Sequence, residues 1–140
     1  MRLAALAVTS ALAAAAAGPL PPLPLAKLLA SPDRLTVTVA DTGNPRADGE
    51  YRLECDPPGG THPEAERACA RLARLARQGK DPFAPVGKDA VCSFQDGGPA
   101  TAHVEGTWQG RPVDARFRRR NGCEIKRWKD LEPLLPGRPS

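Results

Sequence analysis

The chain has few of the residues on which most catalytic and metal sites depend. Only two histidines, His62 and His103, occur in 140 residues, and neither stands beside a Ser or Cys nucleophile signature. The four cysteines are separated by 13, 22 and 30 residues, whereas zinc sites use close C-x2-4-C pairs. No glycine-rich phosphate loop occurs either. We therefore expect the chain to be no enzyme and to bind no cofactor or metal.

Aromatic residues are also scarce, with three Phe, two Trp and one Tyr. Phe94 lies just before the turn-forming residues Gly97-Gly98-Pro99 rather than on an alternating strand. Two interpretations fit a bulky apolar residue in such a place. It is offered to a partner's pocket, or it folds back under its own loop as a small satellite core. Position alone does not distinguish the two.

The charge is nearly balanced, with 20 Lys and Arg against 16 Asp and Glu. This balance requires neither a nucleic-acid partner nor a membrane partner, and we predict neither. The densest basic run covers residues 116–120, beside a predicted strand. Arg116 and Arg118 point to one face of that strand, opposite Phe117. A solvated strand face explains this pattern better than a polyanion site does.

The start of the chain predicts export. A positive start at Met1-Arg2, an apolar stretch and small residues before Gly18 predict a secretory signal peptide over 1–17. No second apolar run approaches spanning length, so no membrane association is expected after cleavage. Residues 18–33 are rich in Pro and Leu and predict an extended linker. We expect one secreted, extracellular domain over 34–130 and a flexible tail over 131–140.

Four cysteines in an exported chain of this size predict two disulfides. The sequence alone leaves three connectivities. Cys55 and Cys69 flank a turn and the predicted start of a helix, which favours their pairing. Cys92 would then pair with Cys123.

The hydrophobic pattern predicts an α+β fold with an antiparallel sheet. Alternating residues predict strands over 35–40, 50–55, 101–108 and 112–119, with a hairpin at Gln109-Gly110. Pro63, the acidic residues after it and an apolar stripe ending at Gly79 predict one main helix. Residues 81–90 are expected to be irregular, with one short helical turn near Phe83.

In order along residues 34–128, seven short motifs together resemble the subtilisin-inhibitor family of secreted actinobacterial proteins. They are Leu35-Thr-Val-Thr-Val, Leu53-Glu-Cys55-Asp, Gly60-Thr-His-Pro63, Ala68-Cys69-Ala, Val91-Cys92, Gly106-Thr-Trp108-Gln-Gly110 and Asn121-Gly-Cys123-Glu124. The resemblance implies a five-stranded antiparallel sheet with two helices on one face. It also implies the disulfides Cys55–Cys69 and Cys92–Cys123 and a homodimer formed through the sheet.

The resemblance further implies a reactive-site loop that comprises Val91, Cys92, Ser93, Phe94, Gln95 and Asp96. The primary specificity residue would be Phe94, two positions after the third cysteine, and the scissile bond would be Phe94–Gln95. A protease binds such a segment as an extended strand with one side chain in its primary pocket. Phe94 would fill a chymotrypsin- or subtilisin-type pocket, with Ser93 at P2 and Val91 at P4. Asn121 is a candidate to support the loop backbone, or simply a turn-former with Gly122.

We therefore expect a secreted inhibitor whose partner is an extracellular serine protease. The alternative is a non-inhibitory exported binding or structural domain on the same fold. Asp96 stands where the family commonly has an aromatic residue, and Gly97-Gly98 follows it. These residues could loosen the loop or repel an acidic protease surface. A rigid, exposed, extended Phe94 would favour inhibition, and a buried Phe94 or a disordered Gly97-Gly98 would favour the alternative.

Overall fold

The computed structural model of the protein describes residues 33–137. The predicted signal peptide over 1–17 and residues 18–32 of the predicted linker lie outside this range, as do residues 138–140 of the predicted tail. In chain order the elements are β1 (Arg34–Ala40), β2 (Gly49–Glu54), β3 (Gly59–Gly60), α1 (Ala65–Arg77), β4 (Thr101–Trp108), β5 (Arg111–Phe117) and α2 (Gly122–Asp130).

The five strands form one antiparallel sheet in the order β3-β2-β1-β4-β5. The central strand β1 pairs with β2 on one side and β4 on the other, so that Val37 lies opposite Tyr51 and Val104. Successive side chains of a strand point to opposite faces. Leu35, Val37 and Val39 are accordingly buried while the residues between them face outward. The predicted α+β class and the strands read from alternation are confirmed.

Both helices cover the same face of this sheet. In α1 the buried residues Ala68, Leu72 and Leu75 recur at helical spacing and join the strand residues in one core. In α2 the buried residue is Trp128. The second helix was implied by the family resemblance and not by any periodicity, and it is present. No helix in the described part of the chain has the length and apolarity to cross a membrane.

The predicted hairpin between β4 and β5 is confirmed. Gln109 and Gly110 both have positive φ angles, 49° and 75°, which suits a two-residue turn between right-twisted strands. Near Phe83 the chain forms a single hydrogen-bonded turn, in which the Ala84 amide donates to the Asp81 carbonyl at 3.4 Å, and residues 81–90 are otherwise largely irregular.

The prediction of a flexible tail over 131–140 is wrong for residues 131–137. Leu131, Leu134 and Leu135 are at most 1% exposed and belong to the core. The indole of Trp128 also donates a hydrogen bond to the Pro136 carbonyl at 2.9 Å. The proline content suggested fraying, but burying three leucines favours an ordered segment.

Candidate functional site

Two large apolar side chains of the described residues stand fully in solvent, and both lie on one segment. Val91 is 98% exposed and Phe94 is 103% exposed. Residues 91–98, here called the exposed loop, form no helix, strand or hydrogen-bonded turn. A satellite core under the loop is therefore excluded for Phe94. An exposed aromatic residue on a segment without regular secondary structure is a feature of a binding surface rather than of packing.

The N-terminal half of the exposed loop, residues 91–94, is tied to the start of α2. Cys92 is disulfide-bonded to Cys123, and the Ser93 carbonyl accepts a hydrogen bond from the Gly122 amide at 3.1 Å. A Cβ atom at position 122 would collide with the Ser93 hydroxyl. That hydroxyl can rotate away, so the close approach at Gly122 is less restrictive than one to backbone, and the hydrogen bond holds the loop backbone one residue before Phe94.

The C-terminal half of the exposed loop, residues 95–98, is held by noncovalent contacts rather than by a disulfide. The Gly97 amide donates to the Arg119 carbonyl at 2.6 Å, and Arg119 Nε donates to the Gly97 carbonyl at 3.2 Å. A Cβ atom at position 97 would lie 2.9 Å from both Arg119 Cβ and Ile125 Cγ1. Gly97 thus permits a close approach that a side chain would prevent.

Asp96 adds polar contacts to this half of the loop. One carboxylate oxygen accepts the Gly98 amide at 2.9 Å, and the other pairs with Arg120 at 3.2 Å. The hydrogen bond from the Gly98 amide, followed by the charge of Arg120, holds the pKa of Asp96 below its usual range. Asp96 is therefore ionised at neutral pH and bridges the loop to the chain that follows β5. Gly97 and Gly98 therefore do not loosen this half of the loop, because the amides of both are hydrogen-bonded.

The side chain of Asn121 does not have the loop-supporting role that the sequence suggested as one of two possibilities. Its side chain caps α2 by accepting the Glu124 amide at 2.9 Å. Among the hydrogen bonds found for residues 33–137, none joins the Asn121 side chain to the exposed loop. The main-chain amide of its neighbour Gly122 supports the loop instead. The turn-forming role that the sequence also suggested becomes, more specifically, a helix cap.

Arg119 is the supporting residue that sequence reasoning missed. The sequence predicts a solvated strand face over the basic run 116–120; Arg116, Arg118 and Arg120 are exposed, but β5 ends at Phe117 and only Arg116 of these lies on it. Arg119 is only 4% exposed. It shares the strand parity of Phe117, which faces the core, and that parity is the signal that could have identified it.

The two disulfides are Cys55–Cys69 and Cys92–Cys123, as the family resemblance implied, and the described residues include no free cysteine. The first pair lies at the start of α1, far along the chain from the exposed loop. Only the second pair therefore belongs to the site.

Within residues 33–137, one group of side chains has donors close enough together to consider as metal ligands. It comprises His103, Glu105 and Asp114 on the outer face of β4 and β5. Spacing along the sequence did not reveal it, because Asp114 comes from the neighbouring strand. His103 Nε2 already hydrogen bonds Asp114 at 2.6 Å, which accounts for the arrangement without an ion.

Known proteins match most of this chain. A family model described as "Subtilisin inhibitor-like" matches residues 30–121. A subtilisin inhibitor of Streptomyces violaceus is 37% identical over 130 residues, covering 88% of this chain and 86% of that protein. Subtilisin inhibitor-like protein 1 of Streptomyces cacaoi is 34% identical over 101 residues, covering 65% and 86%. A solved structure of Streptomyces caespitosus sermetstatin with Bacillus licheniformis subtilisin has a TM-score of 0.44, with 24% identity over 72% of this chain and 93% of that chain.

Proposed function

Because the chain belongs to the subtilisin inhibitor-like family, we propose that it inhibits serine endopeptidases by presenting the exposed loop as a substrate. The family consists of protease inhibitors rather than enzymes, so the prediction that the chain is not an enzyme is confirmed. The proposal places the scissile bond between Phe94 and Gln95. The residues that would contact the protease are those of the predicted reactive-site loop, from Val91 to Asp96.

One observation carries the proposal, namely that Phe94 stands fully in solvent between two attached loop halves. An exposed segment that is free of helix and turn suits strand-like pairing with a protease cleft, in which alternate side chains enter pockets. The loop is already ordered before binding, so little conformational entropy remains to be lost. A buried Phe94 or a disordered Gly97-Gly98 would have favoured the non-inhibitory alternative, but Phe94 is exposed and the amides of both glycines are hydrogen-bonded.

Phe94 also supports a class of target. Its ring would fill the primary pocket of a chymotrypsin-like or subtilisin-like enzyme, where an apolar slot accepts an aromatic side chain. Val91, the other fully exposed apolar residue, would offer its side chain at P4. Ser93 would sit at P2 with its carbonyl already engaged by Gly122.

The two attachments also support a mechanism of inhibition. When the protease serine attacks the Phe94 carbonyl, the Phe94–Gln95 bond breaks and an acyl ester forms. The Gln95 amine takes up a proton but stays close, because Gly97 is held to Arg119. The amine can then attack the ester and re-form the peptide bond before water enters. Such an inhibitor is cut and rejoined without being released.

From the same family membership, we also propose that the protein acts outside the cell as a homodimer formed through its sheet. Within residues 33–137 the helices leave the outer face of the sheet uncovered, with Thr38, Glu105 and Arg116 exposed there. This face is broad enough for a second sheet to pack against it. Analytical ultracentrifugation of the secreted protein would show a mass near that of one chain if the dimer does not form.

The decisive experiment is a titration of subtilisin and of chymotrypsin with the purified protein. We expect activity to fall linearly to near zero at about one inhibitor site per enzyme. Phe94→Ala should weaken binding by about 2–4 kcal/mol, as removal of an anchor does, and Val91→Ala, which truncates the other exposed apolar residue, should weaken it less. Full protease activity at a large excess of intact protein would contradict the proposal.

A further inference from the structure

Arg119 carries a positive charge in a buried position, where the side chain loses most of its hydration. It is 4% exposed, and its guanidinium lies 5.5 Å from the ring centroid of Trp128. Removing a guanidinium from water is costly unless hydrogen bonds or an opposite charge compensate for it. No Asp or Glu among residues 33–137 forms an ion pair with it, although six ion pairs of other Lys or Arg residues occur there. A buried salt bridge therefore does not explain why the Arg119 side chain is buried.

The hydrogen bond found for its side chain leads to the exposed loop. Arg119 Nε donates to the Gly97 carbonyl at 3.2 Å, and its own carbonyl accepts the Gly97 amide at 2.6 Å. A hydrogen bond from a charged donor is stronger than a neutral one, and burial away from water strengthens it further. The ring of Trp128, whose centroid lies 5.5 Å from Arg119 Cζ, adds a cation–π contact. Arg119 thus holds Gly97 through two hydrogen bonds, one donated by its side chain and one accepted by its main-chain carbonyl.

We propose that Arg119 is the positioning residue that keeps the leaving-group half of the loop in place after the Phe94–Gln95 bond is cut. This inference rests on the proposed function. In the acyl state the Phe94 carbonyl carbon is bonded to the serine oxygen and Gln95 carries a free amine. Attack by that amine restores the peptide bond and returns the proton to the serine hydroxyl, whereas attack by water releases a Phe94 carboxylate. Arg119 favours the first outcome by holding Gly97, two residues from the amine.

Neighbouring contacts are weaker candidates for this role. The Arg120–Asp96 pair joins two side chains that are 54% and 59% exposed, and exposed pairs are screened by water and salt. Ile125 approaches Gly97 only as an apolar surface and offers no hydrogen bond. Among these contacts, only Arg119 combines burial, charge and two hydrogen bonds to the loop.

The test compares Arg119→Met with Arg118→Met in the full chain. Arg118 precedes Arg119, its side chain is 58% exposed, and its ion pair is to Glu124 rather than to the loop. Methionine keeps the unbranched bulk of Arg119 while removing its donors. We expect both variants to melt within a few degrees of the wild type, because replacing a buried charge by an apolar group is often neutral for stability.

The readouts are the inhibition constant at mixing, the rate at which subtilisin hydrolyses the 94–95 bond, and the rate at which cleaved protein is rejoined. For Arg119→Met we expect initial inhibition within about tenfold of the wild type. Hydrolysis should be roughly 10- to 100-fold faster and rejoining slower by a similar factor, as expected when a reacting group is misplaced by about 1 Å. Arg118→Met should match the wild type. Equal durability of all three proteins would overturn the inference.

Two further measurements make the outcome unambiguous. If Arg119→Met folds poorly, Arg119→Lys retains the cation beside Trp128 but has no donor at the Nε position, and it should also be hydrolysed faster. Hydrogen exchange of the Gly97 amide in the free protein should accelerate in the Arg119 variants and not in Arg118→Met. If the wild type fails to inhibit while this exchange pattern holds, the proposed function is wrong, but the restraint of Gly97 by Arg119 is confirmed. Unchanged exchange in the Arg119 variants would show that the Arg119 side chain does not restrain Gly97.

Discussion

The two halves of the exposed loop are held by different kinds of interaction. The N-terminal half is attached through a covalent bond, Cys92–Cys123, and one main-chain hydrogen bond from Gly122. The C-terminal half is attached through the hydrogen bonds of Gly97 with Arg119 and the contacts of Asp96. The scissile bond that we propose lies between them.

The difference matches what each half must do in the proposed mechanism. The acyl half stays bonded to the protease and needs only a tether that never opens. The amine half must leave the carbonyl and return to it, so it needs a restraint that tolerates a small displacement and restores the starting position. Hydrogen bonds to a buried side chain provide such a restraint. A loop built in this way should fail differently according to which half is disturbed.

Breaking the covalent half should have the largest effect. Replacing Cys92 and Cys123 by serine should lower stability by about 3–4 kcal/mol in the chain-entropy picture. The variant should inhibit at mixing and then lose inhibition as the loop is hydrolysed, because the acyl half is no longer tethered. Residual protease activity followed over many turnovers measures this decay.

Cys55→Ser with Cys69→Ser is the matched control, since that disulfide closes a loop far from the exposed one. It should lose about 3 kcal/mol of stability and still inhibit durably below its melting temperature. If both double variants inhibited equally durably, the tether would not be what makes the loop resist cleavage.

Changing the residue between the halves should alter the target and leave both attachments intact. Phe94→Lys should shift inhibition from chymotrypsin- and subtilisin-like enzymes towards trypsin-like ones, because the chemistry of the primary pocket sets the preference. Loss of an anchor of this kind costs about 2–4 kcal/mol of binding. Inhibition constants against the three enzymes measure the shift. Unchanged constants for all of them would show that another residue fills the pocket.

A pair of glycine substitutions compares the two halves sterically. Gly97→Ala should weaken binding by about 1–3 kcal/mol, because the added methyl group meets Arg119 Cβ and Ile125 Cγ1 at 2.9 Å and the packed helix behind them. Gly122→Ala should cost less than about 1 kcal/mol, because the hydroxyl of Ser93 can rotate away and alanine favours the helix. Inhibition constants at mixing measure both. A larger loss of binding for Gly122→Ala than for Gly97→Ala would show that the contact at Gly122 is the more restrictive of the two.

The smallest effect concerns Asp96. Its pKa is lowered in the folded loop, so its contribution is present above the ordinary pKa of an aspartate, about 4. That contribution is lost as the pH falls through the lowered value. The melting temperatures of the wild type and Asp96→Asn should therefore differ slightly at neutral pH and converge at strongly acidic pH. A difference that grows on acidification would contradict the sign of this shift.

Local pattern determined much of this molecule. Alternation in 35–40 and 101–108 produced strands because a half-buried sheet requires a period of two. The stripe at Ala68, Leu72 and Leu75 produced α1 because a helix buries residues at that spacing. Phe94 stood out because no periodicity accounted for it. The short strand β3 was not identified from pattern, since a two-residue strand contains no period.

The sequence by itself therefore determined four of the five strands and the first helix, and it singled out Phe94 without deciding whether that residue is exposed. Tertiary structure decided which polar groups hold that loop, because hydrogen bonds between Gly97 and Arg119 join residues 22 positions apart. It also decided that Arg119 is buried within a run of exposed arginines and that Leu131, Leu134 and Leu135 are packed rather than frayed. Burial depends on what the rest of the chain places alongside a residue. No local pattern contains that information, because the core forms from segments that are distant in sequence.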